Sequence, residues 1–323
     1  MFQTKVKLSK SPDPITLDDR ILTLGSCFAV NIGSKLEDNK FKASTNPFGT
    51  LFNPVSTFKL VNQAALKDII ESMGIVESRG VFHHYDLHSG QSNTSKQELL
   101  ERANKQMKKI SEQLSDTSVL IYTFGTAIVY ELLETGEIVA NCHKVPAREF
   151  NRRFLGIEEI VHAFKINYDL VKSINNNARF ILTVSPVRHQ KESFEQNNVS
   201  KSILRIACEK IRTEFGQVDY FPAFEIMMDE LRDYRFYAED MLHPNQVAID
   251  HIWHKFMDVY FDEVTRTFIS GWQKIRKSMA HRPFNAKSKE HQAFIKKTIE
   301  QLNEFSNMVD ISQELQLLKS QLI

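Results

Sequence analysis

The chain has 323 residues, 41 Lys and Arg against 40 Asp and Glu, and 42% hydrophobic residues. That length suits one large domain, or a domain with an appendage, with room for a sizeable core; the balanced charge excludes a broad basic face for nucleic acid or an anionic membrane. The 11 Gly and 9 Pro make up about 6% of the chain, against roughly 12% in average proteins, which argues against disorder and against a turn-dense all-β fold.

The opening segment, MFQTKVKLSKSPDPITLDD, has no apolar run of signal-peptide length, and no later stretch reaches about 18 apolar residues. The three cysteines (Cys27, Cys142 and Cys208) lack metal-ligand spacing, so a reducing cytoplasm is the expected setting, with no metal and no cofactor. Residues 21–25 (ILTLG) form a short apolar run ending in Gly25, followed by Ser26, Cys27 and a helical stretch from Phe28 to about Leu36. This reads as strand, tight turn, helix. The turn-rich NPFGTLFNP (46–54) precedes a helix expected over 56–73. Ser95-Lys96-Gln97-Glu98 is a capping box opening a long helix, with Leu99, Ala103, Met107, Ile110 and Leu114 on one face.

SVLIYTFG (118–125) and RFILTV (179–184) have the continuous apolar character of strands covered on both faces. Between them lie an expected hairpin turning at Glu134-Thr135-Gly136 and a helix from Glu158 to Ser173. Ser200 is expected to cap a further helix, with Ile203, Leu204, Ala207, Ile211 and Phe215 inward, before a last short strand at 218–221. Short apolar strands alternating with helices predict an α/β fold: a doubly wound, mostly parallel sheet with helices on both faces. From about Glu263 the pattern is helical only, so the expected division is an α/β domain over 1–285 and a helical tail over 286–323. The tail's apolar stripes suit packing on the domain or self-association.

In doubly wound sheets, ligands bind beyond the carboxyl ends of the strands, and the polar motifs fall there. Asp240-Met241-Leu242-His243-Pro244-Asn245 places a carboxylate three residues before an imidazole, just ahead of a helix start. A turn there lets Asp240 hold one ring nitrogen and leaves the other as a general base; a capping Asp beside an exposed His is the plain alternative. Gly25-Ser26-Cys27 sets a hydroxyl and a thiol in a strand-to-helix turn, where helix amides favour negative charge. The alternative is a capping Ser26 and a Cys27 acting as a small hydrophobe.

ILTLGSCFAVNIGSKL, followed by NPFGTLFNP, NCHKVP, TVSPVRH and YAEDMLHPN, closely resembles the GSCFA-domain proteins over roughly residues 15–285. These look like distant relatives of the SGNH (GDSL-type) esterases and acyltransferases, and the resemblance implies a flavodoxin-like fold. Aligned on Gly25, the first SGNH block puts Cys27 at the nucleophile position; a one-residue shift would make it Ser26. Cys27 is preferred because a thiolate is the stronger nucleophile once a His takes its proton. The resemblance further implies Gly49 as an oxyanion donor and Asp240 and His243 as the remaining catalytic pair. The Asn of the third block is missing from Gly125-Thr126-Ala127-Ile128, leaving Thr126 as its substitute. His88, His143, Arg188 and His189 fall where this fold brings groups near the same pocket, and Arg188 would suit an anionic substrate group. The implied activity is hydrolysis or transfer of an ester or acyl group on a small molecule or carbohydrate; the rival is a binding or scaffold protein on a degenerate hydrolase fold.

Overall fold

The computed structural model describes residues 4–322, so Met1–Gln3 and Ile323, at the extreme ends of the two expected regions, lie outside it. The first strand, β1 (Arg20–Gly25), leads through a tight turn into α1 (Cys27–Asp38) and β2 (Lys42–Thr45). Helix α2 spans Pro54–Leu66, shorter than the expected 56–73. Asn53 starts it early by accepting from the Ser56 amide at 2.8 Å, with Pro54 in the first turn. Lys67 ends it in a left-handed conformation. A small hairpin, β3 (Ile75–Ser78) and β4 (Val81–His84), precedes α3 (Lys96–Leu114) and the central strand β5 (Val119–Phe124).

The expected hairpin is β6 (Ile128–Leu132) with β7 (Ile138–Val139), and β8 (Phe150–Phe154) adds a third antiparallel strand that its polar sequence conceals. Then follow α4 (Ile157–Ile174), β9 (Arg179–Val184), α5 (Phe194–Glu214), β10 (Val218–Tyr220) and the short α6 (Ala223–Glu225). Ser193, not Ser200, caps α5, through the Gln196 amide, so Ser200 lies within the helix and turns its hydroxyl to the end of β5.

The main sheet has the order β10-β9-β5-β1-β2, and β1, β5, β9 and β10 pair in parallel. The chain runs from β1 outward to β2, then returns to the other side of β1 for β5, β9 and β10. The order therefore reverses between β1 and β5, and the crevice beyond their carboxyl ends is the switch point of this flavodoxin-like arrangement. Every side chain of β5 is buried. The Phe-rich composition is spent against this strand: Phe58 of α2 meets Tyr122, Phe124 and Phe164 edge-on at 5.2–5.6 Å. Burying one such ring is worth about 1.5–3 kcal/mol. The Tyr122 hydroxyl, fully enclosed, donates to Asn167 Oδ1 at 2.8 Å.

Among the described residues, contacts group 4–8, 20–35 and 43–255 in one unit and 9–19, 36–42 and 256–322 in a second. The second unit contains the end of α7 (Gln246–Tyr260), then α8 (Glu263–Met279), α9 (Lys289–Asn303) and α10 (Ser312–Lys319). Its own core joins Trp272 to Phe268 and Phe305, and the Trp272 indole donates to the Asp38 carbonyl at 3.0 Å. Among the described residues, no helix is long and apolar enough to cross a membrane.

Candidate active site

Gly25 closes β1 with φ +130°, and an asparagine braces the turn it makes. Asn46 Oδ1 accepts from the Gly25 amide at 2.9 Å, its Nδ2 donates to the Gly25 carbonyl at 3.2 Å, and the Ser26 amide donates to Thr123 O at 2.9 Å. The turn fixes the two nucleophile candidates differently. Ser26 is buried, its hydroxyl without a partner and its Cβ against Gly125. Cys27 is partly exposed and opens α1, where first-turn amides have no helical acceptor. Burial raises its thiol pKa above the ordinary value; the Asp240 carboxylate adds to this, while Lys201 and the amides of Cys27 and Phe28 oppose it. The thiol is therefore protonated at neutral pH.

The loop after the short turn Tyr234–Phe236 carries a paired carboxylate and imidazole. His243 Nδ1 lies 2.6 Å from Asp240 Oδ2, and Asp240 Oδ1 accepts from the amides of Leu242 and His243 at 2.9 and 3.0 Å. The two amides and the imidazole hold the Asp240 carboxyl down to about 2. With Nδ1 taken by Asp240, Nε2 is the ring nitrogen left available to a neighbouring proton donor. Arg188 braces this loop: its guanidinium donates to Met241 O, its amide donates to Leu242 O at 3.2 Å, and its charge sits over Tyr237, Phe194 and Tyr234 at 4.6–5.5 Å. The guanidinium expected to take a substrate anion thus spends one N–H on a loop carbonyl, while its buried Nε has no hydrogen-bond partner among the described residues.

His189 follows β9, held by its amide donating to Asn197 Oδ1 at 3.0 Å, with Phe52 edge-on to its ring. Burial, then the charges of Lys201 and His243, push its imidazole down to about 4, so it is neutral; its Nε2 is buried without a partner. Lys201 was not singled out from the sequence, yet it is 1% exposed and donates to Gly125 O and Ser185 O at 2.7 and 2.8 Å. Burial pulls its ammonium down to about 7, while the charge of Cys27 pushes back. The signal for it was present: Leu204, Ala207, Cys208 and Ile211 form the buried stripe of α5, and helical spacing extends that stripe back to Lys201.

The remaining expected residues are engaged elsewhere. The Gly49 amide, expected as an oxyanion donor, already donates to Asn46 O at 2.8 Å, and at φ +80° a Cβ there would lie 2.4 Å from His88 Cβ. Thr126 Oγ1 sits 3.0 Å from Ser200 Oγ and accepts from the Ile128 amide, while its own amide donates to Phe52 O. His88 Nδ1 accepts from the Gly90 amide. His143 is buried with Nε2 2.7 Å from His84 O and its ring stacked on His83; burial holds it down to about 4. Cys208 is fully buried in the core and Cys142 partly exposed. Among the described residues, no three His, Cys, Asp or Glu side chains gather as metal ligands. The structure thus brings Cys27 and His189 under the electrostatic influence of the Asp240–His243 pair on one side and of Lys201 on the other, and sets His143 in a separate histidine cluster.

No curated protein matches the sequence. A family model described as the GSCFA family matches residues 20–256, which carry every residue of this site, and one described as the C-terminal domain of GSCFA domain proteins matches residues 272–323. The chain belongs to the GSCFA family.

Proposed function

We propose that this chain is an SGNH-like hydrolase or acyltransferase that carries an acyl group on Cys27. The single observation that carries the reading is the Asp240–His243 pair, hydrogen-bonded at 2.6 Å and electrostatically coupled to a partly exposed cysteine at the sheet's switch point. His243 Nε2 takes the Cys27 proton as the sulfur attacks an ester carbonyl. The oxyanion is held by the Cys27 and Phe28 amides, which face the sulfur at the start of α1, and, in place of the missing third-block Asn, by Nε2–H of neutral His189. The protonated His243 then gives its proton to the leaving alkoxide, and water or an acceptor hydroxyl discharges the thioester. The substrate class is a small-molecule or carbohydrate ester, and free cysteines throughout suit a reducing cytoplasm.

The test is labelling with an ester-mimicking electrophile, followed by peptide mapping of wild type, Cys27→Ala and Ser26→Ala. Labelling is expected at Cys27 in wild type and in Ser26→Ala and absent in Cys27→Ala; label retained on both alanine variants defeats the reading. The rival, a binding protein on this fold with its tail helices in self-association, is favoured by the commitment of the Gly49 and Thr126 amides to other acceptors. It forecasts no turnover of any ester or thioester.

A further inference from the structure

We infer that Arg188 is the positioning residue of the Asp240–His243 pair, acting through the two peptide groups that lie between them. The inference rests on the acyl-transfer reading only in taking His243 as the base. Both members of the pair are half-exposed, so burial does not hold them in place. Among the described residues, the hydrogen bonds that reach residues 238–245 from beyond residues 235–249 are two, and Arg188 donates both. Its amide donates to Leu242 O at 3.2 Å and its guanidinium to Met241 O. Each of those carbonyls belongs to a peptide group whose N–H donates on its other side to Asp240 Oδ1. Met241 O shares its plane with the Leu242 amide, at 2.9 Å from that oxygen, and Leu242 O with the His243 amide, at 3.0 Å. Arg188 therefore grips from behind the same two peptide planes that Asp240 grips from the front. Turning either plane would take an N–H away from the carboxylate that orients the imidazole. Hydrogen bonds in such a chain polarise one another, so charge at the carbonyl end strengthens the N–H end.

The loop needs an outside hold at this point. Met241 has φ +57°, a left-handed conformation that a side-chain-bearing residue keeps only where its surroundings over-determine it. The carbonyl that the guanidinium takes is that of Met241. Arg188 is itself anchored, because Ser185 and Val187, just before it at the end of β9, are buried. Its charge lies over Tyr237 at 4.6 Å, Phe194 of α5 at 5.0 Å and Tyr234 at 5.5 Å. A planar guanidinium can stack on rings and donate in its own plane at once, which an ammonium cannot. With Nε buried and Nη2 committed to Met241 O, the side-on edge that would grip a substrate carboxylate is closed.

The experiment is NMR of protein carrying isotope-labelled histidine, at alkaline pH, in wild type, Arg188→Met and Arg188→Lys, with His243 assigned from the signal lost in His243→Ala. Wild type is expected to hold the ring proton on Nδ1. Arg188→Met is expected to become a mixture with the Nε2–H tautomer, and Arg188→Lys, which keeps a charged donor, to retain most of the Nδ1–H form. Acylation of Cys27 is expected to slow by up to roughly 100-fold in Arg188→Met, equally for neutral and anionic esters, and to recover in part in Arg188→Lys. A loss confined to anionic esters makes Arg188 a substrate ligand and overturns the inference, as does an unchanged tautomer in folded Arg188→Met. Should Arg188→Met fail to fold, Phe194→Ala trims an exposed ring from beside the guanidinium and leaves Arg188 in place. It is expected to shift the tautomer in the same direction, and an unchanged tautomer there overturns the inference instead. If Cys27 takes no acyl label while the His243 tautomer still depends on Arg188, the positioning stands and the acyl-transfer reading falls.

Discussion

Replacing His243 with alanine is expected to slow acylation of Cys27 by an activated ester roughly 100- to 10,000-fold, the range that a positioned general base contributes. Burial keeps the Cys27 thiol protonated near neutrality, so the attacking thiolate must be produced as it is used. Asp240→Asn tests the same step through the tautomer. An asparagine can still accept from the Leu242 and His243 amides through one oxygen, but it then presents an NH2 to Nδ1. The ring would answer with Nδ1 as acceptor and Nε2 protonated, which removes the base while leaving the loop in place. The Asp240 carboxyl ionises at about 2, so between pH 5 and 10 it stays charged in wild type and contributes no inflection. The acylation rate should therefore rise with pH as the raised Cys27 group begins to ionise. Stopped-flow acylation across that range decides the matter. An alanine variant within threefold of wild type would show that His243 is not the base.

The second large effect concerns folding. Gly25→Ala is expected to destabilise the α/β unit by about 3–5 kcal/mol, well above the usual cost of a single substitution. A Cβ at Gly25 would stand 2.1 Å from Thr123 O and 2.8 Å from Thr123 C, and the backbone there has φ +130°. Neither neighbour is the end of a flexible side chain: Thr123 is paired with Gly25 in the parallel ladder, and its carbonyl already accepts from the Ser26 amide. Relief requires β1 and β5 to part at the switch point. Thermal unfolding of the variant should show its midpoint lowered on the order of 10 °C. A change below 2 °C would mean that the turn tolerates a side chain.

The sheet was legible because β1, β5 and β9 are buried on both faces, and that leaves an unbroken apolar run in the sequence. The strands that escaped, β2, β3, β4 and β8, are half-buried, with polar runs such as FNRRF that no burial pattern marks. The Asp240–His243 spacing could be read because both partners sit in one loop. Lys201 escaped for the opposite reason: helical spacing puts it on the buried stripe of α5, but a lysine among Asn, Ser and Arg is easily taken for a solvated position, and the strand ends it serves lie far away in the chain. The charge of Arg188 was visible in the sequence, whereas the rings it lies over, Phe194, Tyr234 and Tyr237, are scattered along the chain and could not be read as its surroundings.

The Asp240–His243 contacts come from within residues 240–243, with Arg188 bracing that loop from outside, whereas the turn bearing Cys27 depends on Asn46 and Thr123, far away in the chain. One half of the site is therefore assembled largely within its own short loop; the other waits for the sheet to close. Mild heating or denaturant should accordingly silence the protein before the loop dissolves, by letting the thiol wander from an imidazole that is still correctly aimed. In such a state Cys27 would become a freely reactive sulfur, open to oxidants and electrophiles that the folded turn restrains.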